Sequence, residues 1–403
     1  MNKNLITKNN FQNQYLKKYS LKTLRINFQK IIKEINKEVN STQETINILS
    51  DKFKFNFNLN DLKKFRKFKT IAIIGMGGSI LGAQAIHNFL EKKIKKKTYF
   101  FNDLNEKKIL NFKNKENLKK VLFIIISKSG NTVETLTNLL ILKIIKKNSK
   151  NIILISEKKD NFFLSISKKF KLFFIEHKNY IGGRYSVLSE VGIVPAYLMG
   201  VDIFKLRSNI QSYLKGSEKL FLKESSAYLA GILNSKKINN LVLLNYSSEL
   251  EKFLFWCQQL IAESLGKKGK GFLPVISNVP KDHHSLLQLY LDGPKDKIFH
   301  IFSCTEKSNE KINTDKIGHN HFLNNQKLST IKLAQKNALI EVFKKKKIPF
   351  REFKVNGINE EVLGKLFSYF IIETIIIGKL INVNPFDQPA VEQVKVKTKK
   401  LLS

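Results

Sequence analysis

Short apolar runs alternate with stretches of helical periodicity along most of this chain, and that alternation limits it to one broad architecture. The runs are Thr70–Ile74, 121–127, 151–156, 172–175, 241–245, 298–303 and Phe350–Val355. Between them lie helical patterns at 79–91, 133–147, 248–265, near 327–340 and at 359–380. Strands of this kind, each followed by a helix, predict mostly parallel sheets covered on both faces. The pattern runs through once and then repeats. At 403 residues the length also suits two domains better than one. The expected organisation is an α/β protein. It has a polar, helical N-terminal segment (1–68) packed on the core, two α/β units (69–205 and 206–383), and a tail (384–403). The tail opens with Pro385 and Pro389, turns lysine-rich and reads as a helix packed over another part of the protein.

The formal net charge is +38, a value that ordinarily suggests nucleic acid or an anionic membrane. Here the cations are nearly all lysine and are spread along the chain, with arginine only at 25, 66, 184, 207 and 351. Base readers favour arginine, so no nucleic-acid partner is expected, although a positive field attracts an anionic substrate. Segment 371–381 is the most apolar, but Glu373 and Lys379 interrupt it and it is too short to span a bilayer, so no membrane partner is expected. The N-terminal thirty residues lack the apolar stretch of a secretory signal. Cys257 and Cys304 make neither a disulfide framework nor a metal-ligand spacing. Together these features favour a cytoplasmic protein.

The chemistry-bearing residues fall in a few clusters. Gly75-Met76-Gly77-Gly78-Ser79 follows a strand and opens a helix, so its backbone N–H groups can approach an anion. With Ile80-Leu81-Gly82 after it, the segment departs from the dinucleotide fingerprint Gly-x-Gly-x-x-Gly, because the last glycine, Gly82, comes two residues late. Ser127-Lys128-Ser129-Gly130-Asn131-Thr132 sets three hydroxyls, a lysine and a run of amides around one turn, which suits a phosphate monoester. The same turn also reads as a capped helix start, with Asn131 and Glu134 as the capping pair. Arg184, after Gly182-Gly183, is one of few arginines and suggests planar, bidentate donation; an interface salt bridge is the alternative. Gln259 and Glu263 share one face of an apolar helix, where burial would raise the carboxylate's pKa toward that of a useful base. A buried ion pair between helices fits the same spacing. His283-His284 begins another helix, where one of the two can face a site; metal binding would want His-x-x-x-His.

Read in order, these segments resemble glucose-6-phosphate isomerases. The motifs are Gly-x-Gly-Gly-Ser-x-x-Gly, Ser-Lys-Ser-Gly-Asn-Thr-x-Glu-Thr, Gly-Gly-Arg-Tyr-Ser-Val-Leu-Ser, Gln-Gln-x-x-x-Glu-Ser-x-Gly-Lys, His-Ser-x-x-Gln and Asn-Pro-Phe-Asp-Gln-Pro-x-Val-Glu-x-x-Lys, spread over 75–395. The resemblance implies two sugar-isomerase (flavodoxin-like) domains and no metal or other cofactor. It also implies a homodimer in which His284 reaches the partner's active site. Under it, Glu263 is the base that shuttles a proton between C1 and C2 through a cis-enediol. His284 assists ring opening with Lys395, and Arg184 stabilises the enediolate. Gly78, Ser79, Ser127, Lys128, Ser129 and Thr132 hold the sugar phosphate, the last four at its phosphate, while Gln259 and Gln388 line the site. Ala390 stands where many members have glycine, and Asn131 where threonine is common. A dual-specificity form that also accepts mannose 6-phosphate, and a non-catalytic sugar-phosphate-binding regulator, are the other readings of the same motifs.

Overall fold

The computed structural model describes residues 4–16, 20–305, 308–316, 318 and 321–402. Residues 1–3, 17–19 and 403 of the two terminal segments lie outside the described residues. In chain order the strands are β1 (Leu5–Asn10), β2 (Thr70–Ile74), β3 (Lys97–Phe101), β4 (Val121–Ile126), β5 (Ile152–Ser156), β6 (Phe173–Glu176), β7 (Asn240–Asn245), β8 (Leu273–Asn278), β9 (Lys297–Cys304) and β10 (Phe350–Val355). They form two sheets, ordered β3-β2-β4-β5-β6 and β1-β10-β9-β7-β8. All pairings in the first sheet are parallel, as are those of β10, β9, β7 and β8 in the second. Every residue of β4 and β5 is buried, as strands covered by helices on both faces must be.

In the first sheet the chain passes from β2 outward to β3, then returns on the other side as β4. Strand order therefore reverses between β2 and β4, and it reverses in the same way between β7 and β9. Open parallel sheets bind ligands beyond the carboxyl ends of the strands at such points. A single apolar core joins the two sheets. Ile71, Ile73 and Ile124 reach it from one side, and Leu243, Phe302 and Phe353 from the other. The helix Glu360–Leu380 lies in it, buried along nearly its whole length.

Three expectations are corrected. The N-terminal segment is not wholly helical. It opens with β1, which pairs antiparallel with β10 from Leu5↔Val355 to Asn10↔Phe350; only then does the helix Ser20–Glu38 follow, packing Phe28, Ile32 and Ile35 into the core. This strand owes its form to the open edge of a partner distant in sequence, which local periodicity does not report. Two further strands, β3 and β8, have no counterpart among the apolar runs, because both are edge strands with exposed positions, and β8 contains Pro274. Of the tail, residues 384–388 pack against Arg184 and Lys267, but the helix that follows, Pro389–Leu402, has no buried residue. No helix among the described residues is long and apolar enough to cross a membrane.

Candidate active site

The two turns at the first reversal point differ in chemistry. After β2 the backbone makes a tight turn, Gly77–Ser79, before the helix Leu81–Phe89. Gly77 has φ +52, and a Cβ there would sit 2.7 Å from Gln259 Nε2. Gly78 is held closer still: a Cβ would lie 2.2 Å from the carbonyl of Gly183 and 2.6 Å from the nitrogen of Arg184. Only glycine admits this approach, so the two glycines couple the β2 turn to Gly183–Leu188 on one side and to the helix Glu251–Leu265 on the other. Ser79 is half-buried at the end of the turn.

After β4 comes the hydroxyl loop. Ser127 Oγ and Thr132 Oγ1 are 2.9 Å apart, and Ser129 Oγ accepts from the nitrogen of Asn131 at 3.2 Å. Thr132 is the N-cap of the helix Val133–Leu142 but makes no side-chain cap bond. Asn131 caps nothing there either: its Oδ1 accepts from the nitrogen of Phe162. Lys128 turns aside, with Nζ donating to the carbonyl of Asn179 at 2.7 Å and lying 3.5 Å from Glu157. Burial pushes the Lys128 ammonium's pKa down, and Glu157 opposes this.

Arg184 binds the other parts together. It is 2% exposed and makes five hydrogen bonds from its five N–H groups. Nε donates to Ser264 Oγ at 2.8 Å. Nη1 donates to Gln388 Oε1 at 2.7 Å and to Glu263 Oε2 at 3.4 Å. Nη2 donates to the carbonyls of Pro385 at 2.5 Å and Asp387 at 3.0 Å. Glu263 Oε1 accepts from Gln259 Nε2 at 2.9 Å. The helix that carries Glu263 is buried through Leu260, Ile261 and Ser264, yet the Glu263 side chain is 28% exposed. The apolar neighbours face the core, and the carboxylate faces the cleft. The expectation of a buried carboxylate is corrected accordingly.

Gly78, Arg184, Gln259, Glu263 and Gln388 thus lie in one connected constellation. His284 and Lys395 do not join it. His284 is exposed on the helix Lys281–Asp292, and Lys395 Nζ is 2.7 Å from Glu392 on the exposed tail helix. The neighbouring His283 is turned inward, its Nε2 2.9 Å from the hydroxyl of Tyr246; burial, with His284 beside it, lowers its pKa. Four groups without a role in the sequence motifs also hold the site: Tyr185, Ser264, Lys267 and Asp387. The Tyr185 hydroxyl lies 2.8 Å from Ser264 Oγ and donates to the Pro385 carbonyl at 2.8 Å; burial pushes the Tyr185 pKa up. Lys267 Nζ pairs with Asp387 at 2.8 Å and also donates to the carbonyl of Asn384. That bond to Lys267 lowers the Asp387 pKa. The signal for these four was their adjacency to Arg184, Glu263 and Gln388 within the same motifs. Among the described residues no group of three or more His, Cys, Asp or Glu side chains is arranged to hold a metal ion.

The fold defines a class first. A crystal structure of a hypothetical protein from Thermus thermophilus matches at a TM-score of 0.82 and 22% identity, covering 99% of this chain and 100% of that one. A glucose-6-phosphate isomerase from Chlamydia trachomatis matches at 0.77 and 15% identity, covering 99% and 88%. The architecture is therefore that of the tandem α/β sugar-isomerase fold. A sequence model for the family described as phosphoglucose isomerase matches residues 29–271. Glucose-6-phosphate isomerases from Methanocaldococcus jannaschii and Mycoplasmopsis synoviae are 34% and 32% identical, over 84% and 82% of this chain and 85% and 81% of their own. The chain belongs to the phosphoglucose isomerase family.

Proposed function

We propose that this protein interconverts glucose 6-phosphate and fructose 6-phosphate through a cis-enediol, with Glu263 as the base. The observation that carries the reading is the Glu263 carboxylate, open to the cleft and held between Gln259 and Arg184. Aldose–ketose isomerisation needs one base over two adjacent carbons. Glu263 removes the proton from C2 of the open-chain aldose and returns it to C1, while the hydroxyl proton passes from O2 to O1. A carboxylate fixed from two sides can serve both carbons without reorienting.

The negative charge that develops on the enediolate oxygen needs a fixed donor. Arg184 is that group. Its bond to Glu263 is the longest of its five, so this Nη1 hydrogen is the one most readily shared with the substrate. Ser127, Lys128, Ser129 and Thr132 bind the phosphate, with Lys128 swinging from the Asn179 carbonyl. Gly78 and Ser79 approach the sugar, and Gln259 and Gln388 line its pocket. Lys395 assists ring opening in a homodimer, together with His284 supplied by the partner subunit. The support for the histidine's origin is that His284 stands exposed on the single chain, outside the cleft.

The test is a coupled assay with fructose 6-phosphate in EDTA, comparing wild type with Glu263→Gln. The amide is nearly isosteric and can still meet Gln259. Activity should survive chelation and fall by at least about 10²-fold in the variant, the lower end of what a general base contributes. A folded wild type that binds the sugar phosphate without turning it over would instead mark a regulator.

A further inference from the structure

The lysine of the hydroxyl loop is engaged elsewhere, and one of the groups that engage it is an anion. Glu157 directly follows β5, the strand beside β4. Its backbone nitrogen donates to the Lys128 carbonyl at 3.1 Å, as Ser156 Oγ does at 3.2 Å. The same turn closes through Asn161 Nδ2, which donates to the Glu157 carbonyl at 3.0 Å. Asn161 also stands so close to Gly130 (φ +68) that a Cβ there would lie 2.3 Å from Asn161 Oδ1. The turn after β5 is thus fitted to the loop that carries Ser127, Ser129 and Thr132, and Glu157, 6% exposed, is fixed against it. One of its carboxylate oxygens lies 3.5 Å from Lys128 Nζ, and the other pairs with Lys159.

A phosphate monoester entering this loop meets two obstacles. It must draw Lys128 Nζ away from Glu157 and from the Asn179 carbonyl, 2.7 Å distant. It must also bring its own charge, about −1.5 to −2, beside a carboxylate. Like charges close together in a partly buried site disfavour one another. Lys159 offsets part of this repulsion, since it takes the far oxygen of Glu157. Resting on the phosphate-loop reading above, we propose that Glu157 is a positioning residue that sets the affinity of that loop: it holds Lys128 aside until the substrate's phosphate displaces it, with Lys159 as its counter-ion. The effect acts through Lys128 on binding of the phosphate, which does not change during the reaction, and so belongs to KM rather than to the chemical step at Glu263 and Arg184.

The test is calorimetric titration of the full chain with inorganic phosphate, followed by measurement of KM for fructose 6-phosphate. Glu157→Gln keeps an oxygen for the two lysines and removes the charge. It should bind phosphate roughly two- to fivefold tighter, the scale of one partly exposed ion pair, and the gain should fall on KM. Lys159→Met strips the counter-ion and should weaken binding. Asp160→Asn removes a neighbouring, exposed carboxylate and should bind as wild type does. A merely structural ion pair predicts otherwise, because loosening the loop leaves phosphate binding unchanged or weaker. Ser127→Ala separates this proposal from the reading beneath it. If Ser127→Ala binds phosphate like wild type, the phosphate-loop reading fails and the proposal falls with it. If Ser127→Ala weakens binding but Glu157→Gln does not tighten it, or Asp160→Asn tightens it equally, the loop reading stands and the proposal alone is overturned. Circular dichroism checks that each variant is folded. Should Glu157→Gln not fold, Lys159→Met decides, and binding no weaker than wild type overturns the proposal.

Discussion

Arg184→Lys preserves the charge at the centre of the site and removes its geometry. The arginine donates five hydrogen bonds in five directions, to Ser264, Glu263, Gln388 and the carbonyls of Pro385 and Asp387. A lysine has three donors radiating from one atom, so at least two acceptors lose their partner. Water cannot readily replace it where the arginine is 2% exposed. A hydrogen bond to a charged donor contributes roughly 1.5–3 kcal/mol, so losing two costs about 3–6 kcal/mol. The lower end is the better estimate, because the Pro385 carbonyl keeps its bond from Tyr185. Urea unfolding should therefore give a stability about 3 kcal/mol below wild type. The coupled isomerase assay should show the larger effect, a fall in kcat of about 10²–10³-fold, as when a fixed donor to a developing oxyanion is removed. Segment 384–388 should also be cut faster by protease, since three of the five bonds hold it. A variant with wild-type stability and wild-type kcat would refute the claim that the fork geometry builds this site.

Other expectations follow from the same structure. Gly78→Ala should place a Cβ within 2.2 Å of the Gly183 backbone, cost about 1–3 kcal/mol by overpacking and lower kcat by displacing Arg184. Gly183→Ala, whose Cβ meets only Gly78 Cα at 4.0 Å, should be close to neutral in both assays. His300 is buried against Arg351, and burial with that neighbouring cation holds its pKa well below 6.5. The folded protein keeps this histidine neutral while the unfolded chain takes up a proton, so its contribution is fully present above about pH 6.5 and is lost as pH falls, by up to about 1.4 kcal/mol per unit. His300→Gln should flatten that slope in urea titrations between about pH 6.5 and 5; parallel slopes would contradict the assignment. Deleting residues 4–10 removes β1 and bares the edge of β10, so light scattering should report association that the full chain does not show.

What could be read from sequence depended on where each strand lies. β2, β4, β5, β7, β9 and β10 are largely buried and register as apolar runs. β3, with the sequence Lys-Thr-Tyr-Phe-Phe, and β8, which carries Pro274, sit at edges and keep polar or exposed positions. β1 exists because β10 offers it a ladder, and no local pattern records an encounter between residues 5 and 355. At the site, Arg184 was legible because arginine is scarce here, and the glycines because they flank a strand end. The exposure of Glu263 was not, since an apolar helix does not say which of its faces meets the cleft. Lys267 and Asp387 were hidden in plain view: each is one more charge in a lysine-rich chain, and only folding makes them a pair.

The continuous core between the two sheets has a thermodynamic consequence. Two α/β units joined only by a linker could melt separately and swing about a hinge. Here Ile73 and Ile124 share their apolar surroundings with Leu243 and Phe302, so neither sheet can lose its packing without stripping the inner face of the other. Topologically there are two units; calorimetrically there should be one, with a single heat-absorption peak and no half-folded survivor. Damage to either half is then felt at the cleft between them, and any motion that admits a substrate falls to the periphery, to turned-aside side chains such as Lys128 and to the unburied helix Pro389–Leu402.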